Sequence, residues 1–477
     1  MTVAPRSFSS AWMRKLLFGN EPSRELFGIL TVYFVQGILG LARLAISFFL
    51  KDELGLSPAE MGALMGIAAF PWIVKPLFGF ISDGLPILGY RRRPYLILSG
   101  LLGSMAWIAL GTVVHTSAMA TVAILMSSVS VAISDVIADS LVVERARTEN
   151  IGKAGSLQSL TWGVSALGGL VTAYLSGLLL EHLSTRAVFE ITAVFPLLVA
   201  AVAGAISEQP IEEEQLIGLE PAKEQLGLLW QAIKQKTIWL PTLFVFIWQA
   251  TPGAESAFFY FSTNELGFEA EFLGRVRLVT SLASLLGIWV FQRYLKTIPF
   301  RKIFGWSIVI STLLGLTSLI LVTHFNRTLG IGDAWFSLGD SLVLTVVGQI
   351  AFMPVLVLSA RLCPPGVEAT MFALLMSIFN LAGLLSQELG ALLTHLLGVT
   401  ETNFDRLWLL VTLTNLSTLL PLFAIKWLPQ GDPQAILSET LPPGEIFEHR
   451  VPGSQLDSTT LPEVLPQLTA SQQASET

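Results

Sequence analysis

The sequence predicts an all-α integral membrane protein with twelve transmembrane helices in two six-helix halves related by pseudo-symmetry. Three observations predict it: the composition, a series of long apolar segments and an internal repeat. Of the 477 residues, 52% are hydrophobic and 13% are charged, whereas about a quarter of the residues in a soluble globular protein are charged. Lipid is therefore the expected solvent for most of the chain.

The apolar segments match the length of a membrane-spanning helix, which needs about 20 residues. The predicted helices are 26–50, 59–81, 94–114, 118–141, 153–181, 186–207, 238–262, 271–293, 300–323, 334–360, 367–394 and 403–428.

Polar stretches divide the chain into domains. The predicted units are a cytoplasmic N-terminal segment 1–25, an N-terminal bundle 26–207, a cytoplasmic linker 208–237, a C-terminal bundle 238–428 and a tail 429–477. The tail is rich in Pro, Ser, Gln and Thr without periodicity, so we expect it to be disordered. Basic residues, including Arg91 and Arg301, concentrate at one set of helix ends. Because Lys and Arg are retained on the cytoplasmic side, both termini and the linker are predicted to be cytoplasmic.

The internal repeat has a nearly constant offset. Residues 53–56 (ELGL) match residues 265–268 (ELGF) at an offset of 212, and residues 167–175 match residues 381–389 at an offset of 214. Both matches keep the same membrane orientation in each half. The halves are therefore predicted to be parallel repeats related by an axis along the membrane normal.

Several charged residues fall inside the predicted helices, where an ionised side chain costs about 2.5–3.5 kcal/mol on insertion scales. Such residues are expected to face an interior cavity. They are Arg43, Lys75, Asp135, Asp139, Glu255, Arg277, Asp340 and Glu388.

The first such group combines opposite charges from the two halves. The offset of 212 places Arg43 and Glu255 at equivalent positions, and Arg277 reaches a similar depth. Side chains across a pseudo-twofold axis face each other, which predicts a pair or triad. Two interpretations remain open: an ion-pair network that holds the halves together, or an anion subsite combined with a gate.

The second group lies nearer the basic helix ends. Lys75 is flanked by Pro71 and Pro76, which remove backbone donors and bend a helix. Asp135 and Asp139 are four residues apart and share one helical face. Either carboxylate is a candidate for a coupling proton; for Asp139, pairing with cytoplasmic arginines is the alternative.

Gln158 and Trp162 are also four residues apart, on the fifth predicted helix. They place an amide beside an aromatic ring, which suits a planar polar ligand. Core packing of Trp162 is the alternative interpretation.

Other classes of protein lack the motifs they need in this chain. The phosphate-binding motif G-x-x-x-x-G-K-[ST] does not occur, which argues against an ATP-driven pump. No nucleophile–base pair, metal-ligand spacing or cofactor motif is present, and the sequence contains a single cysteine, Cys363. We therefore expect no enzymatic activity, no cofactor, no metal and no nucleic-acid partner.

The connection after the second predicted helix carries a more specific pattern. Gly79 and Asp83 end that helix, and Arg91, Arg92 and Arg93 precede the next. A glycine, an aspartate four residues later and a basic cluster resemble the cytoplasmic loop signature of the major facilitator superfamily. The resemblance implies that these residues form a gate, in which the carboxylate pairs with an arginine or caps a helix N-terminus.

This loop departs from the common pattern of the superfamily. Residues 84–88 are inserted between Asp83 and the basic cluster. The second half keeps Gly287 and Arg301 but has Phe291 where an aspartate would stand. The gate is therefore expected to be asymmetric.

Two longer stretches resemble the folate–biopterin transporter family, in its cyanobacterial and plastid branch. They are residues 82–95 (SDGLPILGYRRRPY) and 134–147 (SDVIADSLVVERAR), with Lys75 and Pro76 before them. The resemblance implies a secondary carrier of folates or pterins that works by alternating access and is coupled to a proton. It also implies a multi-pass protein of a bacterial plasma membrane or plastid envelope that functions as a monomer.

The residues suit such substrates. A carboxylate such as Asp135 accepts paired donors from a pterin ring, and Arg43 or Lys75 binds the glutamate tail of a folate. Aromatic side chains such as Trp72 and Trp162 stack on the ring. A carrier of another small organic anion on the same fold, or a non-transporting receptor or scaffold, is the alternative.

Overall fold

The computed structural model describes residues 17, 20–148, 154–208, 210, 234–295, 298–362 and 368–430. Most of the predicted linker, most of the N-terminal segment and the predicted tail beyond residue 430 lie outside the described residues. The side chains of Asp83, Gln158 and Trp162 also lie outside the described part of the structure.

The described chain folds into helices that follow the predicted order. Their bounds are α1 Arg24–Glu53, α2 Pro58–Ser82, α3 Arg93–Thr112, α4 Ser117–Thr148, α5 Ala154–His182, α6 Thr185–Ala205, α7 Lys236–Gln249 with Glu255–Tyr260 and Phe261–Glu265, α8 Ala270–Leu295, α9 Phe300–Val322, α10 Asp333–Arg361, α11 Glu368–Leu396 and α12 Leu407–Trp427. We call α1–α6 the N-half and α7–α12 the C-half.

Eleven helices in the described residues are long and apolar enough to cross a membrane. The remaining predicted helix, 238–262, is not continuous: α7 stops at Gln249 and resumes at Glu255. Pro252 lies in the interruption, and proline cannot donate the hydrogen bond that would continue a helix. The prediction of one unbroken seventh helix was therefore wrong, and the break frees backbone groups inside the C-half.

The repeat is visible in the backbone. α1 ends in a π-helical turn, Phe49–Glu53, and α7 ends in the equivalent turn, Phe261–Glu265, at the predicted offset. Each turn is followed by a left-handed glycine, Gly55 with φ 65° and Gly267 with φ 67°, a conformation that favours glycine. We call this end of the bundle the π-turn end, and the opposite end, which carries Arg91–Arg93, the basic end.

Small residues bring the two halves together in a pseudo-symmetric way. A Cβ on Gly62 of α2 would lie 3.3 Å from the Cβ of Ala391 of α11. A Cβ on Gly274 of α8 would lie 2.8 Å from the Cα of Gly177 of α5. The repeat offsets relate these two contacts, so α2 and α11 pack as α8 and α5 do.

Polar and aromatic groups also join the halves at the π-turn end. The Tyr260 hydroxyl donates to the carbonyl of Leu56, and Lys51 Nζ donates to Asn264 Oδ1 at 2.9 Å. The rings of Phe48 and Phe259 meet edge to face, with centroids 5.4 Å apart. The π-turn end is therefore closed in this structure.

The N-half is closely packed where α3 meets α4 and α6. A Cβ on Gly100 would lie 2.8 Å from the backbone nitrogen of Ala200. Ser130 Oγ donates to the carbonyl of Ser99 at 2.6 Å. Glycine and serine let these helices approach closely and keep their polar groups satisfied.

Candidate functional site

The break in α7 borders a cavity of about 870 Å³ inside the C-half. Every residue that lines it belongs to α7–α12 or to the break itself. Glu255, the first residue after the break, lies at its wall. Its other polar lining includes Gln249, Ser311, Ser337, Asp340, Ser341 and Asn415. The volume falls in the range of small-molecule sites, about 300–1,000 Å³.

Asp340 of α10 is held in this wall by two hydroxyl groups of α9. Thr317 Oγ1 donates to Asp340 Oδ1 at 2.5 Å, and Ser318 Oγ donates to Oδ2 at 2.8 Å. No cationic side chain of the described residues lies within ion-pair distance of this carboxylate. The two hydroxyl groups thus fix the position of the Asp340 carboxylate, but they do not neutralise its charge.

The predicted group of Arg43, Glu255 and Arg277 does not form an ion pair among the described residues. Glu255 is exposed, and its carboxyl group lies against Gly253. A Cβ built on Gly253 would lie 3.0 Å from the Glu255 carboxyl carbon. Arg277 instead comes within electrostatic reach of Arg43, a like charge. The pairing of Arg43 with Glu255 stays a prediction, and neither arginine has a counter-ion among the described residues.

The second predicted group does come together, within the N-half. Lys75 forms an ion pair with Asp135, and its Nζ lies 3.9 Å from Asp139 Oδ2. Tyr33 donates its hydroxyl to Asp139 Oδ1 at 2.5 Å. Lys75 also lies 5.1 Å from the ring centre of Trp72, a cation–π contact.

This cluster has consequences for the predicted roles. Asp135 is neutralised by Lys75, and each is less than a quarter exposed. Asp139, which is half-exposed, takes its hydrogen bond from Tyr33. Lys75 and Asp135 therefore satisfy one another and are not open to a ligand in this conformation.

Glu388 of α11 lies at the boundary between the halves. Its Oε1 is buried and has no hydrogen-bond partner among the described residues. A Cβ on Gly66 of α2 would lie 3.3 Å from the Glu388 carboxyl carbon. The carboxyl group therefore fits against α2 only because residue 66 has no side chain.

At the basic end, Gly79 and the arginines hold α2, α3 and α6 together. A Cβ on Gly79 would lie 3.4 Å from Val136 of α4. The buried Arg92 donates to Ser82 Oγ at 3.2 Å, and Arg93 Nε donates to the carbonyl of Ile206 at 2.7 Å. The side chain of Asp83, the predicted partner, lies outside the described residues.

The carboxylate that binds this basic cluster is Glu208, which the sequence analysis did not single out. It accepts the backbone N–H groups of Arg91, Arg92 and Arg93 at 2.6, 2.9 and 3.0 Å. These N–H groups open α3, where the helix dipole favours an anion. The sequence feature that could have identified Glu208 is its position, since it closely follows the last apolar residues of α6. That places it at the same end of the bundle as the three arginines.

The C-half has a related contact at the basic end. Arg301, at the start of α9, donates from Nε to the carbonyl of Leu428 at 2.6 Å. Arg93 makes the matching bond to Ile206 at the end of α6. In both halves an arginine thus satisfies a carbonyl left free at a helix C-terminus.

Comparison with known proteins identifies the family. The model of the BT1 family matches residues 36–439. A folate-biopterin transporter of Synechocystis sp. is 62% identical over 471 residues, which covers 96% of this chain and 95% of that protein. Probable folate-biopterin transporter 2 of Arabidopsis thaliana is 35% identical over 432 residues, covering 88% and 86%.

Among solved structures, the nucleoside transporter NupG superposes with a TM-score of 0.64 at 15% identity, over 84% of this chain and 98% of that one. This likeness shows the major facilitator fold that the loop signature implied. The helices, the repeat and the relatives agree with one another. The chain therefore belongs to the BT1 family, the folate–biopterin transporters, and is a multi-pass membrane transporter of the major facilitator fold rather than an enzyme.

Proposed function

We propose that this protein is a secondary transporter of folates and pterins that works by alternating access and is coupled to a proton. The observation that carries the substrate proposal is the pair of arginines, Arg43 and Arg277, which interact electrostatically and have no counter-ion in the described part of the chain. Two like charges inside a membrane protein are unfavourable unless an anion joins them. The carboxylates of a folate's glutamate tail are such an anion.

Arginine is well suited to this role. Its planar guanidinium binds a carboxylate through two parallel hydrogen bonds and stays charged when partly desolvated. Lys75, the other predicted partner of the tail, is already neutralised by Asp135. We therefore assign the binding of the substrate's glutamate tail to Arg43 and Arg277.

The contacts between the halves support alternating access. They close the π-turn end through Tyr260, Lys51 and the small residues of the α2–α11 and α5–α8 interfaces. The basic end corresponds to the cytoplasmic side under the positive-inside rule. In a monomer of a bacterial plasma membrane or plastid envelope, this conformation would be open to the cytoplasm or stroma.

Glu388 is the candidate for the coupling proton. It lies between α2 and α11, which separate when the π-turn end opens, and one carboxyl oxygen lacks a donor in the closed state. Lys75 compensates the charge of Asp135, and Asp139 accepts a hydrogen bond from the neutral Tyr33 hydroxyl, so Asp139 is the second candidate.

The function is tested with purified protein in liposomes. We expect uptake of labelled folate and biopterin, and faster accumulation when a proton gradient is imposed. A dicarboxylate without a pterin ring serves as the competing substrate. If the dicarboxylate accumulates and neither folate nor biopterin does, the protein is a carrier of another organic anion.

The arginine subsite has a matched control on the same helix. Arg277→Gln is expected to lower folate uptake at least tenfold and to affect biopterin, which has no glutamate tail, much less. Arg275, two residues away, is exposed and pairs with Glu271 on its own helix. Arg275→Gln should therefore transport folate like the wild type, and equal losses in the two variants would refute the subsite.

A further inference from the structure

Asp340 holds a charge that nothing in the described structure neutralises. Its two bonds from Thr317 and Ser318 use only part of its acceptor capacity, because an ionised carboxylate offers about four acceptor positions. The remaining capacity is available on the cavity side, since Asp340 lines the 870 Å³ cavity of the C-half. An intramembrane carboxylate without a partner marks a functional site.

A second group in the same wall also lacks a partner. Ser311 Oγ of α9 is buried and makes no hydrogen bond among the described residues, and Ser311 lines the cavity. Buried polar atoms are normally satisfied by protein, water or ligand. The cavity thus offers a fixed carboxylate and a free hydroxyl group to whatever occupies it.

The lining defines the chemistry of the occupant. Glu255 and Gln249 add acceptors at the broken part of α7, while Trp248 and Phe258 provide aromatic surface. No cationic side chain is among the residues that line the cavity. Such a site selects a flat molecule that donates hydrogen bonds from one edge, and it disfavours an anion.

We propose that this cavity binds the pterin ring, with the Asp340 carboxylate accepting the adjacent ring N–H and amino donors. The proposal rests on the proposed function and divides its substrate between two subsites. Asp135, the acceptor that the sequence suggested for the ring, is occupied by Lys75. Asp340 has no such competitor.

The two subsites lie at matching depth. Arg277 is seven residues into α8 and Asp340 is seven residues into α10, both counted from the π-turn end, or about 10 Å along a helix. Leu273 and Thr280, which flank Arg277 on the same face of α8, line the cavity. A ring in the cavity therefore lies beside the face of α8 that carries Arg277.

The test measures binding of two fragments to the purified full-length protein by titration calorimetry. Biopterin carries the ring without the glutamate tail, and p-aminobenzoylglutamate carries the tail without the ring. Asp340→Asn should weaken biopterin binding at least tenfold and leave the tail fragment within twofold of wild type. Arg277→Gln should show the opposite pattern.

The tail fragment also reports that the Asp340→Asn variant is folded. Asp333→Asn is the matched control, since Asp333 lies on the same helix but pairs with the exposed Arg327; it should bind both fragments normally. Unchanged biopterin binding in Asp340→Asn would overturn the ring subsite. An equal, sodium-dependent loss of binding of both fragments would also overturn it, because it would identify a cation site. If the wild-type protein binds neither fragment, the proposed function itself is refuted.

Discussion

The two halves share a fold and a repeat but treat their charges differently. In the N-half, Lys75 neutralises Asp135, and Tyr33 satisfies Asp139. In the C-half, Asp340 and Arg277 have no partner of opposite charge among the described residues. The N-half also packs its helices through Gly100 and Ser130, whereas the C-half contains a cavity of about 870 Å³ with a mixed apolar and polar lining.

This difference suggests that the charged residues of the N-half contribute mainly to stability and those of the C-half mainly to substrate binding. A closed ion pair such as Lys75–Asp135 gives a ligand nothing to bind, while charges without a partner are unfavourable unless a ligand binds them. We therefore expect changes in the N-half cluster to affect folding most. Changes around the C-half cavity should affect substrate binding most.

Breaking the N-half ion pair should have the largest effect on stability. Lys75→Met leaves Asp135, which is 14% exposed, without its partner, and we expect a loss of about 3 kcal/mol in the free energy of unfolding. Denaturant unfolding in detergent micelles measures it. The double variant Lys75→Met with Asp135→Leu should regain most of the loss, because the more buried carboxylate, Asp135, is removed together with its partner.

The C-half provides the comparison for that experiment. Asp340→Asn keeps an acceptor for Thr317 or Ser318 and removes a charge that had no counter-ion. Its free energy of unfolding should change by less than about 1 kcal/mol. A loss as large as that of Lys75→Met would show that Asp340 stabilises the fold, and the division between the halves would not hold.

Overpacking the α5–α8 interface should have the next largest effect. A side chain on Gly274 would collide with Gly177 across the halves, and overpacking costs about 1–3 kcal/mol. Gly274→Leu should therefore shift the protein toward opening of the π-turn end by roughly tenfold or more. In a Cys363→Ser background, a cysteine at Ser256, which faces Gly62 in the closed interface, should react faster with a thiol reagent.

Gly305→Leu is the control for this experiment. A Cβ on Gly305 of α9 would meet no atom within 4 Å, so the reactivity at position 256 should stay at its wild-type value. If both leucine variants increase the reaction rate at position 256 equally, the rate reports a general loss of packing and not the separation of α5 from α8.

Much of this architecture was predictable because it depends on local rules. Helix length is read from single segments, which is why the all-helical membrane fold was confirmed. The roles of Lys75, Asp135 and Asp139 stay predictions, although Lys75 lies beside both carboxylates. The repeat at residues 53 and 265 was likewise detectable. In each half the same short stretch forms a π-turn followed by a left-handed glycine, and both features restrict the sequence there.

Other features depend on contacts that a single sequence does not display. Glu208 reaches Arg91 across 117 positions of the chain. The cavity is a property of how α7–α12 pack, and the position of the Glu255 carboxyl group beside Gly253 depends on side-chain direction. The break in α7 did have a signal in Pro252, but the surrounding apolar run concealed it.

Removing the carboxylate of Glu208 should have a moderate effect confined to the basic end. Glu208→Ala leaves the N–H groups of Arg91, Arg92 and Arg93 without their acceptor, and losing a helix cap costs about 1 kcal/mol. Hydrogen exchange in residues 85–95 should accelerate accordingly, while residues 298–305 of the C-half keep their wild-type rates. Acceleration in both regions would show that Glu208 acts on the whole protein and not on α3.

The smallest expected effect concerns the polar contact between Lys51 and Asn264 at the π-turn end. Asn264→Ala removes one hydrogen bond from Lys51, which keeps its ion pair with Asp52. Such a partly solvated contact contributes about 0.5 kcal/mol, so the reactivity of a cysteine at Ser256 should rise only about twofold. If Asn264→Ala opens the π-turn end as much as Gly274→Leu does, the closed state depends on this polar contact. The symmetric packing of small residues would then be a consequence of closure and not its cause.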